Sequence, residues 1–436
     1  MKDLALDGDM VGEVRLYDID HEAAERNRII GERISAHPDT KSRWRYSVAY
    51  SLQEALTGAD FVVISILPGT FAEMRSDVHE PEKFSIYQSV GDTVGPGGLV
   101  RALRTIPMFV EIARAIRDYC PDAWVINYTN PMSLCVRTLY QVFPGIKAFG
   151  CCHEVFGTQK LLCSMLEEQY GIEGVTRERI HVNVVGINHF TWFTKASFDG
   201  EDLFPLYREF VEQYHAIGFA RGDDTNWMNN SFKSAQRVKF DLFRRYGHIA
   251  AAGDRHLAEF MPPWYLKDPA TVKDWCFGLT TVDWREDDLA QRLERSRRLA
   301  DCEEDITLDG SGEEGHLLIK AILGFGELVS NVNIPNYGQI PNLPLGTVVE
   351  TNALFRRDYI GPVFAGEVPS NILPLIMPHV LNQENILTAA MTCDRELAFD
   401  AFMNDPLVNL MPEDGLRLFE TMLQNTKRYL PDGWKL

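Results

Sequence analysis

The chain has 436 residues, 45% of them hydrophobic, and a net charge of -19; this length exceeds one compact core and supplies enough apolar material for two or three units. The acidic balance argues against attraction to nucleic acid or an anionic membrane surface, and the longest apolar stretch, near Phe61 to Leu67, is too short to cross a bilayer. Met1 to Met10 lacks the pattern of a signal peptide and the eight cysteines form no paired framework, so a cytoplasmic protein with reduced thiols and a small-molecule partner is expected.

In the first 150 residues, apolar runs alternate with amphipathic stretches in the βαβ rhythm of a parallel sheet. Glu13 to Tyr17 reads as a strand ending in Asp18, Ala23 to Ile34 as a helix, Tyr46 to Ala49 as a strand, Leu52 to Leu56 as a short helix and Phe61 to Ile66 as a buried strand. A loop with Pro68 and Gly69 follows, and Arg75 is assigned to it. Helical spacing then runs from Leu99 to Tyr119, Trp124 to Asn127 is a strand stopped by Asn130-Pro131, and Leu134 to Val142 is a helix.

Two short apolar runs come next, Ile146 to Phe149 and His181 to Val185, and each ends in a polar tip: Gly150-Cys151-Cys152-His153-Glu154 and Gly186-Ile187-Asn188-His189. A thiol and an imidazole delivered from two strand ends suggest half of an open metal site. Beyond residue 190 helical segments dominate, at Leu206 to Tyr214, Ser231 to Tyr246, Asp287 to Leu299 and Glu313 to Leu328. The expected organisation is a Rossmann-like doubly wound parallel sheet over 1–190 and an α+β substrate and oligomerisation domain over 191–436.

Asp18, at the end of an early strand, suits a group that accepts hydrogen bonds from an adenosine ribose. The glycine-rich fingerprint that sits roughly 20 residues before such an acid would fall at or before Met1, so the expectation is that a first strand and its Gly-rich turn precede this sequence.

Taken together, Leu16-Tyr17-Asp18-Ile19-Asp20, Gly95-Pro96-Gly97-Gly98 with Arg101 and Arg104, Asn127-Tyr128-Thr129-Asn130-Pro131, Cys152-His153, Gly186-Ile187-Asn188-His189 and Asn336 to Pro344 resemble glycoside hydrolase family 4 over nearly the whole chain. The resemblance implies a fold related to lactate and malate dehydrogenases, NAD and manganese as cofactors, and a dimer or tetramer. It also implies an unusual hydrolysis, outside the two-carboxylate scheme of most glycosidases: transient NAD-dependent oxidation at C3 of the sugar, abstraction of the C2 proton, elimination of the leaving group, addition of water and return of the hydride.

The resemblance implies Cys152 and His189 as metal ligands, Asp18 and Asn127 beside the cofactor, and Asn130 and Arg75 on the substrate. His153 stands where the family carries His for unphosphorylated sugars and Asp for phosphorylated ones, and is a candidate acid for the leaving oxygen. Asp254, 65 residues after His189, is the expected base, with Tyr246 in reserve. Arg255 and His256 adjoin it and favour an anionic sugar, which resembles the α-galacturonidase branch more than the neutral α-glucosidase or α-galactosidase branches. Two other readings stay open at this point: a 2-hydroxy-acid dehydrogenase and an inactive cofactor-fold protein.

Overall fold

The computed structural model describes residues 1–220 and 234–435. Its first half carries β1 (Glu13–Leu16), β2 (Arg45–Val48), β3 (Phe61–Ile64), β4 (Trp124–Asn127) and β5 (Lys147–Gly150) with helices between them. The strands are short and rich in β-branched and aromatic residues, as a pleated, packed surface favours. β1 and β2 pair in parallel in a sheet of their own, while β3, β4 and β5 run parallel in a second sheet. These correspond to the 3-2 and 4-5-6 runs of a doubly wound order. No described strand joins β1 to β3.

Local chemistry sets the helix starts. Asp20 accepts from the Ala23 N–H and Ser51 from the Glu54 N–H, while Thr70 and Glu73 form a reciprocal capping box. That box starts a helix at Phe71–His79, so Arg75 stands on a helix rather than in the expected loop. Gly95-Pro96-Gly97-Gly98 is the first turn of the helix Gly95–Tyr119. A Cβ at Gly97 would lie 2.5 Å from the Asp77 carbonyl oxygen, so glycine is what lets the two helices approach closely.

The second half contains more strand than the sequence suggests: β6 (Ile180–Ile187), β7 (Phe190–Phe198), β8 (Glu201–Asp202), β9 (Ile249–Ala250), β10 (Leu328–Pro335), β11 (Val348–Arg356) and β12 (Tyr359–Pro362). β10 runs antiparallel to β5 through Asn333 opposite Gly150. The main sheet therefore has the order β12-β11-β10-β5-β4-β3 and is mixed rather than wholly parallel. The helix expected from Glu313 to Leu328 spans only Gly315–Ile322, because Gly324 and Gly326 take left-handed or extended positive φ and Leu328 opens β10. The helix expected from Ser231 begins at Arg237; its residues 231–233 lie outside the described residues. Residue 190 is the first of β7, so the β6–β7 hairpin spans the expected boundary.

The largest buried apolar cluster packs Leu99, Leu103 and Ile106 against Phe190 and Trp192 of β7 and against Ile376 and Val380 of the helix Leu373–Thr392. This core fixes the hairpin against the start of the helix Gly95–Tyr119. Among the described residues no helix is long and apolar enough to cross a membrane.

Candidate metal and active site

Asn188 and His189 form the two-residue turn between β6 and β7, where Ile187 pairs with Phe190. His189 takes φ +65 and Gly186 φ +134, and a Cβ at Gly186 would come within 2.5 Å of the Phe190 carbonyl oxygen. Only glycine fits there, and this tight turn aims His189 inward.

The His189 ring stacks on that of His256, with centroids 3.6 Å apart at 24°. Its Nδ1 lies 2.8 Å from Thr93 Oγ1, and the Thr93 hydroxyl donates to Asp92 Oδ1 at 2.7 Å. The Asp92 carboxylate only accepts, so the hydroxyl proton goes to Asp92 and His189 Nδ1–H donates to Thr93. That leaves the His189 Nε2 lone pair for a cation. Asp92, His189 and His256 each offer one ligand atom, and these lie within 4.8 Å of one another.

Electrostatics hold these groups in metal-binding states. Burial, then the neighbouring His256, push His189 down to about 3, and burial also lowers His256. Burial alone would raise the Asp92 carboxyl, but His256, His189 and Arg101 reverse this and hold it well below the usual carboxylate range. The same contest, with His256 again the leading opposing charge, takes Glu154 down to about 2. At neutral pH both imidazoles are therefore neutral and both carboxylates charged, as ligation requires. His256 Nδ1 is buried with no hydrogen-bond partner among the described residues, and an orphaned imidazole nitrogen on a residue of this trio fits a divalent cation.

Cys152 follows the end of β5 and precedes the helix Glu154–Tyr170. Its thiol contacts the Asn188 side chain and is pushed well up by burial and by Glu350 and Glu154. Asn188 thus touches Cys152 while adjoining His189, although Cys152 lies outside the Asp92–His189–His256 trio. Glu154 Oε2 accepts from the Gly253 N–H at 2.5 Å and its Oε1 lies 3.7 Å from His256 Nε2.

The other expected residues are placed as follows. Asn130 donates to Asp92 Oδ2 at 3.2 Å, and its Oδ1 has no partner among the described residues. His153 sits at the start of the helix Glu154–Tyr170, largely exposed, with Glu313 3.5 Å away raising its pKa. Arg255 is buried, donates to the Ser89 carbonyl at 2.9 Å and to Thr280, and is drawn down to about 10 by burial and Arg285. Asn127 is buried and both ends of its amide engage the Thr129 backbone. Asp18 is exposed just past β1 and accepts from the Asp20 N–H.

Three further named side chains are also engaged away from this cluster. Asp254 accepts from the Val238 and Lys239 N–H groups at 3.3 and 3.1 Å, at the start of the helix Arg237–Tyr246. Tyr246 packs edge-on against Trp192. Arg75 pairs with Asp283 and Glu286 at 2.7 and 3.1 Å. Sequence reasoning missed Asp92 and gave Glu154 no role; the one sequence signal for Asp92 is a lone acid three residues before Gly95-Pro96-Gly97-Gly98.

A doubly wound sheet, with two imidazoles brought together by the β6–β7 turn and the helix Asp254–Glu259 and a carboxylate from the segment before the helix Gly95–Tyr119, defines a class, the dinucleotide-fold enzymes able to hold a divalent ion. The sequence pattern described as family 4 glycosyl hydrolase matches residues 1–168, that of the family's C-terminal domain matches residues 184–408, and the chain belongs to this family. A protein of Thermoanaerobacterium saccharolyticum named alpha-galacturonidase is 62% identical over 437 residues, covering 100% of this chain and 94% of its own. A crystal structure of a Bacillus subtilis protein superposes with TM-score 0.92 at 53% identity, over 97% of this chain and 95% of the other. A 6-phospho-alpha-glucosidase from gut microorganisms, solved in complex with NAD and Mn2+, shares the fold with TM-score 0.79 at 20% identity, over 96% and 92% of the two chains.

Proposed function

We propose that this protein hydrolyses α-galacturonides, with NAD and Mn2+ as cofactors. The observation that carries the reading is the cluster of His189, His256 and Asp92 within 4.8 Å, with Cys152 tied to the same turn through Asn188. The name of the Thermoanaerobacterium saccharolyticum relative supports the substrate class, and the ligands of the 6-phospho-alpha-glucosidase support the cofactors.

Cys152 and His189 hold the cation, with Asp92 and His256 as further donors; the added carboxylate shifts a thiolate–imidazole set away from zinc and toward manganese. When bound, manganese polarises a carbonyl on the sugar and NAD takes and returns hydride. Asp18 accepts from the adenosine ribose, and Asn127 shapes the turn that presents Asn130. The unpartnered Asn130 Oδ1 accepts from a sugar hydroxyl. His153, its pKa raised by Glu313, protonates the departing oxygen at the rim. Eight free cysteines support a cytoplasmic setting, and the exposed apolar side chains of Phe325, Val329 and Phe364 are candidate contacts for a homo-oligomer.

The experiment is hydrolysis of a p-nitrophenyl α-galacturonide in deuterated water with NAD and Mn2+. The released sugar should carry one deuterium at C2; turnover without label removes the mechanism, and no turnover removes the substrate class.

Positive charge gathers beside the cluster: Arg101 and Arg285 interact with Asp92, and Arg255 with Asp92 and Glu154. A sheltered charged hydrogen bond contributes roughly 1.5 to 3 kcal/mol. Arg255→Leu should therefore lower kcat/KM for the galacturonide about 10- to 100-fold more than for the matching neutral galactoside. Equal losses on the two substrates would take the carboxylate away from Arg255.

A further inference from the structure

Glu350 lies in β11, 1% exposed, with no role in the reaction described above. Its Oε1 accepts from Asn331 Nδ2 at 2.8 Å and its Oε2 from Asn188 Nδ2 at 3.2 Å. Asn333 stands directly opposite it on β10, within hydrogen-bonding reach, and is itself paired with Gly150 of β5. Asn331 also donates to the Cys152 carbonyl at 3.3 Å, while Asn188 touches the Cys152 thiol and adjoins His189.

One carboxylate therefore ties together three separate pieces of chain: the end of β5 that carries Cys152, the β6–β7 turn that carries His189, and β10. Burial pushes the Glu350 carboxyl up to about 7 while the Asn188, Asn331 and Asn333 amides oppose this; above that pH it is a carboxylate that only accepts, from Asn331 and Asn188 with Asn333 within reach. No neutral side chain of this size offers the same set, since a glutamine turns an N–H toward at least one of these donors.

We propose that Glu350 is a positioning residue that sets Cys152 and His189 at the separation a divalent cation needs. It does not touch the ion; it acts through Asn188 and Asn331, and partners of this kind shift metal affinity by about 10- to 100-fold. The proposal rests on the reading of a cation at Cys152 and His189, and the test separates the two.

The variant is Glu350→Gln in the full chain, with Mn2+ affinity read by titration calorimetry without NAD or sugar, and with the Cys152 alkylation rate by iodoacetamide followed by peptide mass spectrometry on metal-free protein. The expected result is Mn2+ binding weakened at least 10-fold and Cys152 alkylated several times faster, because Asn188 and Asn331 no longer hold its loop. A Kd within twofold of the unsubstituted protein overturns the proposal, even when the variant is less stable, because a merely structural carboxylate would move the thermal midpoint and leave the affinity of the folded protein alone. If the unsubstituted protein takes up no Mn2+, the cation reading falls and the alkylation rate decides for Glu350: unchanged, the proposal falls too. If Glu350→Gln does not fold, Asn331→Ala, which cuts the link from Glu350 to the Cys152 carbonyl, is measured on the same two readouts and decides in the same way.

Discussion

Mn2+ should bind this protein about tenfold more tightly for each pH unit gained through the neutral range, and Cys152→Ala should flatten that slope. The sign follows from which ligands still carry protons. His189 is neutral down to about 3, burial keeps His256 neutral as well, and Asp92 is ionised throughout, so none of these releases a proton when a cation arrives. The Cys152 thiol is pushed well above its usual range by burial and by Glu350 and Glu154, so at neutral pH it must lose a proton to become a thiolate ligand. The bound state then holds one proton fewer than the free state, and affinity rises with pH until the thiol itself titrates. Calorimetry in buffers of different ionisation enthalpy should count one proton released per Mn2+. A count of zero would seat the ion on Asp92, His189 and His256 alone and leave Cys152 outside the shell. His189→Ala removes a donor common to both arrangements, and should lower kcat together with Mn2+ affinity.

The parts of this site that the sequence displays are those whose signal is local. Gly150-Cys151-Cys152 and Gly186-Ile187-Asn188-His189 stand at the ends of apolar runs, and a strand end followed by polar residues is readable within a few positions. The start of the helix Phe71–His79 was equally local, since Thr70-x-x-Glu73 is a capping box in plain sequence; assigning Arg75 to a loop gave the preceding Pro68 and Gly69 too much weight. Asp92 and Glu350 are different. Asp92 reaches His189 only because the core packs the hairpin against the helix Gly95–Tyr119, and Glu350 reaches Cys152 only because β10 inserts next to β5. Within Val348-Val349-Glu350-Thr351, a lone acid reads as the solvent face of a strand. Its burial comes from long-range pairing, which a pattern of period two does not encode. Asp254 is different again, since its position in the sequence suggests chemistry and its two oxygens accept from the start of a neighbouring helix.

Asp77→Ala should destabilise the folded chain by about 3 to 5 kcal/mol, the range for removing one partner of a buried ion pair. Asp77 and Arg104 are both fully buried and face each other in a two-pronged contact, Nη1 to Oδ1 at 2.9 Å and Nη2 to Oδ2, while Arg104 Nε donates to the Pro68 carbonyl at 2.9 Å. Alanine would leave a guanidinium, which does not give up its proton, inside the protein with one carbonyl for company. A paired replacement, Asp77→Leu with Arg104→Met, removes both charges and should recover most of the loss, because apolar packing of similar volume replaces a buried pair at little net cost. Urea unfolding of the unsubstituted protein, Asp77→Ala and the paired variant measures both changes, and a single-variant cost below about 1 kcal/mol would mean that water reaches Arg104. The effect extends to the active site. The pair joins the helix Phe71–His79 to the helix Gly95–Tyr119, and Asp92 and Thr93 lie in the segment between them. Loosening that joint frees Thr93 from His189 Nδ1, so Asp77→Ala should also weaken Mn2+ binding at temperatures where the protein remains folded.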